Sequence, residues 1–137
     1  MKIVSACLAG INCRYDGKNS ANEKVIALVR KGKAIPVCPE QLGGMPTPRE
    51  NMELGGGRVF SASGKDETAQ MKAGAEETLK IAKLVGAKEA IFKARSPSCG
   101  KGRVYDGSFS GKLVEGNGIV TELLQKNGIR VLTEEEL

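Results

Sequence analysis

The chain has 137 residues, enough for one domain whose core needs no disulfide or metal merely to fold. Its net charge of +5 favours anionic partners, but the cations are scattered and no aromatic-rich strand interleaves with them, which argues against RNA. There is no histidine, which excludes Cys-His and Ser-His nucleophile pairs, imidazole-ligated zinc and histidine general bases.

In chain order, the first apolar run, residues 2–8 ("KIVSACL"), reads as a buried strand with Cys7 at its end. "NCRYDG" follows, with Cys13 on a loop and Asp16 in an Asx turn beside Gly17. "SANE" has the form of a capping box, Ser20 at the cap and Glu23 three residues on. It is expected to open a helix over residues 20–31 with Val25, Leu28 and Val29 on one face. A second strand, residues 34–38 ("AIPVC"), ends at Cys38, and Glu40 lies two residues further.

Residues 42–64 form a long Gly/Pro-rich insertion with a hairpin expected around residues 55–57. Loops of this length in a small domain usually serve function. Arg49 within it reads either as an anion binder or as a surface ion pair. A helix is expected over residues 65–85, with Met71, Ala75, Leu79, Ala82 and Val85 on one face. The third strand, residues 89–94 ("EAIFKA"), runs into "RSPSCG", which carries Ser96, Ser98 and Cys99. A helix over 117–126, capped by Asn117, and a strand over 129–132 close the chain.

Strands alternating with helices predict a single α/β domain spanning residues 1–137, with a mostly parallel four-strand sheet and helices on both faces. The carboxyl ends of neighbouring parallel strands open on one crevice, where ligands bind. Cys7, Cys38 and Cys99 all lie at such ends, and Cys13 lies near enough to join them. No run long enough for a membrane helix and no secretory signal is visible, so a reducing, cytosolic setting is expected. There, cysteines point to metal, cluster or catalysis before disulfides.

Converging thiols without imidazole fit an iron–sulfur cluster, a Cys₄ zinc site, a catalytic thiolate or plain buried side chains. Lys93, Arg95, Lys101 and Arg103, with the amides of Gly100 and Gly102, are expected to compensate cluster or substrate charge. Glu40 is the candidate general acid/base. Ser96 and Ser98 can orient a substrate or satisfy their turn.

"SACLAGINCRYDG", "VCPEQLGGMPTPRE" and "RSPSCG", in this order across essentially the whole chain, resemble the domain-of-unknown-function family that includes bacterial thiouracil desulfidases. The resemblance implies a Rossmann-like domain with a [4Fe-4S] cluster on three cysteines, here Cys7, Cys38 and Cys99, with Cys13 the alternative from the first motif. It implies Glu40 and Ser96 as catalytic residues. It also implies a reaction in which the sulfur of a small thiocarbonyl substrate binds the open iron and leaves as sulfide. Met45 stands after "GG" where leucine is expected. The rival readings are a non-enzymatic iron–sulfur or metal module, for redox sensing or sulfur carriage, and an RNA-associated protein.

Overall fold

The computed structural model describes all residues, 1–137. Strands β1 (Lys2–Ser5), β2 (Ala34–Val37), β5 (Glu89–Phe92) and β8 (Arg130–Thr133) form the central sheet, all parallel, in the order β2-β1-β5-β8. Their side chains alternate between two cores, as the two-residue period of a strand requires. Ile3 and its partner Ala90 face one core, and Val4 and its partner Ile91 face the other.

Helix α1 (Glu23–Arg30) covers the Val4 face through Val25. Helices α3 (Thr68–Leu84) and α4 (Ile119–Lys126) cover the Ile3 face through Ala75, Leu79, Ala82, Val120 and Leu124. The expected three-layer arrangement is present. From β1 the chain turns to β2 on one side, and after β2 it crosses to β5 on the other. The gap between β1 and β5 is therefore the point where the winding reverses, and its carboxyl end is where such folds bind ligands.

Two helix caps differ from expectation. Asn22, not Ser20, caps α1 and accepts from the amides of Lys24 and Val25. Glu23 is then the first helical residue and cannot reach back as a capping box needs. Ser20 instead accepts from the Arg14 guanidinium. At α4 the cap is Gly118, because the Asn117 side chain accepts the Gly102 amide.

A short helix, α2 (Pro39–Leu42), absent from the sequence reading, leads into the insertion. Pro39 at its start has the fixed φ a first helical turn wants, and Glu40 in that turn suits the helix dipole. Gly43 and Gly74 let α2 lie directly on α3; a Cβ on either would strike the backbone of Gln70 or Pro39. The expected hairpin follows as β3 (Met52–Gly55) and β4 (Arg58–Ser61). Its two-residue loop is Gly56-Gly57, with φ of 58° and 77°. Met45, Met52 and Val59 pack it onto Met71 of α3. A second hairpin, β6 (Arg103–Tyr105) and β7 (Leu113–Glu115), was not expected from the sequence.

Candidate functional site

All four cysteines line one cavity of about 470 Å³ at the carboxyl ends of β1, β2 and β5. Each arrives on a different device. Cys7 lies not at the end of β1 but in the 3-10 turn Ala6–Ala9 that follows it. Cys13 is brought back over that turn by its loop, with Asp16 making the expected Asx turn to the Lys18 amide. Cys38 is the residue before α2. Cys99 sits in the loop after β5, whose first amide, that of Lys93, donates to the Ser5 hydroxyl across the winding reversal at 2.9 Å.

The Cys99 loop is held by α4. The amides of Ile119 and Val120 donate to the carbonyls of Pro97 and Ser98, and the Thr121 hydroxyl donates to the Cys99 carbonyl. These bonds satisfy helix-start donors that otherwise lack partners. Gly118 has no room for a side chain there, since a Cβ would meet the Ser98 carbonyl.

The thiols are free and mostly buried. Burial pushes the Cys99 thiol up to about 12. The Cys38 thiol is raised by its hydrogen bond with Cys13 and by burial. For Cys13, the contact with Cys38 pulls downward, but the contact with Cys7 and burial outweigh it, leaving about 11. At neutral pH these sulfurs keep their protons unless a metal takes the charge. No three of them are spaced to hold one metal ion. A donor set of thiols alone, with no imidazole and no C-x-x-C pair, suits a thiolate-ligated multi-iron cluster better than a single zinc ion.

Beside the thiols runs a polar chain. The Ser98 hydroxyl donates to Glu40 Oε2 at 2.8 Å. The Ser96 and Ser98 hydroxyls lie 2.9 Å apart. With the Ser98 hydrogen directed at Glu40, Ser96 is the donor of that pair. Ser96 Oγ in turn accepts the amides of Ser98 and Cys99. Thus Ser98, rather than Ser96, touches Glu40, and Ser96 is next in line. Glu40 Oε1 takes the Arg49 guanidinium through Nε and Nη2, both at 2.9 Å.

Arg49 is neither an anion binder nor a surface pair. It is buried, and its remaining N–H groups go to the Cys13 carbonyl, the Pro46 carbonyl and the Thr47 hydroxyl. With all five donors engaged, none is left for a substrate. Three of the four cations expected to serve the site are also committed. Lys93, Arg95 and Lys101 pair with Glu134, Glu135 and Glu136 in turn. Arg103 extends from the exposed start of β6. The Gly100 and Gly102 amides donate to the Ser96 carbonyl and to Asn117. The cations that line the cavity are therefore paired within the protein. Sequence reasoning missed Glu53, Tyr105 and Phe109, which line the same cavity from the two hairpins. No short motif marks them.

The profile of the 2-thiouracil desulfurase family matches residues 3–136. The uncharacterised protein YbbK of Bacillus subtilis (strain 168) is 46% identical over 147 aligned positions, which cover all of this chain and 97% of YbbK. The solved structure of a [4Fe-4S]-dependent thiouracil desulfidase, TudS, superposes with a TM-score of 0.94 at 44% identity, over 98% of this chain and 91% of that one. No helix here is long and apolar enough to cross a membrane. The three motifs that meet at this cavity thus lie within a match that runs nearly end to end, and the chain belongs to the 2-thiouracil desulfurase family.

Proposed function

We propose that this cavity holds a [4Fe-4S] cluster on Cys7, Cys38 and Cys99 and removes sulfur from the thiocarbonyl carbon of a flat thiolated heterocycle such as 2-thiouracil. Cys13, in contact with Cys7 and Cys38, is the alternative third ligand. When bound by three thiolates, such a cluster supplies an iron with an open position, a soft Lewis acid for a thiocarbonyl sulfur.

The chain's own residues supply the rest. Glu40 accepts the proton of a water that adds to the thiocarbonyl carbon. The carbon–sulfur bond then breaks, the ring keeps the water's oxygen, and sulfur departs as sulfide with no net redox change. The carboxylate is held for this work from both sides, Oε1 by Arg49 and Oε2 by Ser98. The file Ser96–Ser98–Glu40, whose hydroxyls donate toward the carboxylate, holds Oε2 in place and links it to the partly exposed Ser96. The cavity brings no unpaired cation, which suits an uncharged ring.

The observation that carries this reading is the single cavity shared by four thiols and the Glu40–Ser98 contact. Its test is sulfide release from 2-thiouracil by anaerobically reconstituted protein. Wild type is expected to turn over. Glu40→Gln is expected to lose at least about a hundredfold in rate while keeping its iron. Iron-loaded wild type that releases no sulfide from any thioamide would contradict the reading and leave a non-enzymatic cluster module.

A further inference from the structure

Glu53 sits in β3, is only 5% exposed, and lines the cavity that the thiols also line. Its Oε1 accepts two amides, from Gly107 at 3.0 Å and Phe109 at 3.1 Å. Its Oε2 has no partner in the protein, yet no sealed side-chain oxygen of the chain lacks one. Oε2 must therefore open to the cavity that Glu53 lines. A largely buried carboxylate oxygen only accepts, and leaving it without a donor is costly.

The two amides belong to the loop joining β6 and β7, which Glu53 pins in an uncommon shape. Phe109 has a φ of 57°, a left-handed conformation that side chains rarely adopt. Gly107 has a φ of 93°, and a Cβ there would lie 2.7 Å from the Leu54 carbonyl, so the loop is seated on β3 where only glycine fits. The result is a partly exposed phenyl ring at the cavity. Tyr15 and Tyr105 line it too, so three of the chain's five aromatic residues surround this one space. Aromatic walls suit a flat ring, and a lone acceptor between them suits an N–H in that ring's plane.

We propose that Glu53 is a substrate-binding and specificity-determining residue: its Oε2 accepts the ring N–H beside the thiocarbonyl group, while its Oε1 holds Phe109 over the ring. This rests on the desulfidase reading above. Glu53 takes no part in moving protons; it selects thioamides that carry an N–H and orients them.

Glu53→Gln is the informative substitution. With its carbonyl toward Gly107 and Phe109, Gln keeps the loop and turns a donor into the cavity where an acceptor stood. Cluster-loaded wild type and variant are compared for sulfide release from 2-thiouracil and from its N1- and N3-methyl forms. KM and kcat are separated, and iron content and the melting shift given by 2-thiouracil and by uracil are measured beside them. The expected result is a KM for 2-thiouracil raised at least about tenfold, a smaller change in kcat and an unchanged iron content. The wild-type preference for N–H over N-methyl should shrink in the variant, which a purely steric effect of the methyl group would not do. An unchanged KM with an unchanged preference overturns the proposal. If the variant fails to fold, wild type decides alone: equal KM values for 2-thiouracil and both methyl forms overturn it. Iron-loaded wild type that releases no sulfide overturns the desulfidase reading instead. The melting shifts of wild type and variant then still decide the role of Glu53, with equal shifts counting against it.

Discussion

Two sets of ion pairs hold this cavity, and they are built differently. The Arg49–Glu40 pair lies inside, with side chains 8% and 12% exposed and every Arg49 donor engaged. The three pairs from Glu134, Glu135 and Glu136 lie outside: Lys93–Glu134 is the least exposed, Lys101–Glu136 is more so, and Arg95–Glu135 is the most exposed. The inner pair joins the first two motifs, because the same guanidinium also binds the Cys13 carbonyl. The outer pairs brace the third motif from behind. A buried pair fixes position and is costly to break, whereas exposed pairs each contribute little.

Breaking the inner pair should have the largest effect. Arg49→Ala removes the counter-cation of a buried carboxylate, leaves Glu40 Oε1 without its donors and takes one donor each from the Cys13 and Pro46 carbonyls. Stability is expected to fall by about 3–5 kcal/mol, lowering Tm by about 10 °C or more. Arg49→Lys restores charge but not the planar fork, and should recover only part of the loss. A Tm for Arg49→Ala within a degree of wild type would show that the pair does not hold the site.

The outer set should respond less and in a graded way. Glu134 accepts both the Ala94 amide at 2.8 Å and Lys93 Nζ at 3.0 Å, so Glu134→Gln should cost about 1–2 kcal/mol. Glu135→Gln and Glu136→Gln should cost about 0–1 kcal/mol each. Denaturant melts in low and high salt check this, since the differences for the exposed pairs should shrink with salt. Equal losses at all three positions would remove the distinction.

Much of the architecture could be read from the sequence, because the period-2 and period-3.6 patterns are clear in the buried strands and in α3. The parallel sheet, both core faces and the meeting of the cysteines follow from those patterns. What could not be read depends on single atoms. Asn22 displaced Ser20 as a cap because both residues are good caps and only the backbone decides between them. The pairing of Lys93, Arg95 and Lys101 with Glu134–Glu136 joins residues about forty positions apart, and no local pattern signals it. Arg49 looked like a surface residue because its loop is polar. Glu53 was invisible for the opposite reason, a carboxylate in a strand position that normally faces water.

The smallest expected effect lies away from both sets, at the start of α3. Asp66 is held down to about 2 by the Thr68 hydroxyl first, then by the Thr68 amide and Arg58. A carboxylate held below its unfolded value stabilises the fold above that value, about pH 4, and the contribution fades as pH falls toward 2. Asp66→Asn should therefore flatten the dependence of Tm on pH between about 4 and 2 and leave turnover untouched. An unchanged acid profile would assign the acid sensitivity elsewhere.

Iron and acid-labile sulfide per chain after anaerobic reconstitution, for wild type and each single Cys→Ser variant, test the cluster site most directly. About four of each are expected in wild type. They should be lost on changing Cys38 or Cys99 and on changing one of Cys7 and Cys13, with Cys7 the ligand proposed. Zinc in place of iron, or full iron retained by both Cys38→Ser and Cys99→Ser, would contradict the cluster site on which the proposed reaction depends.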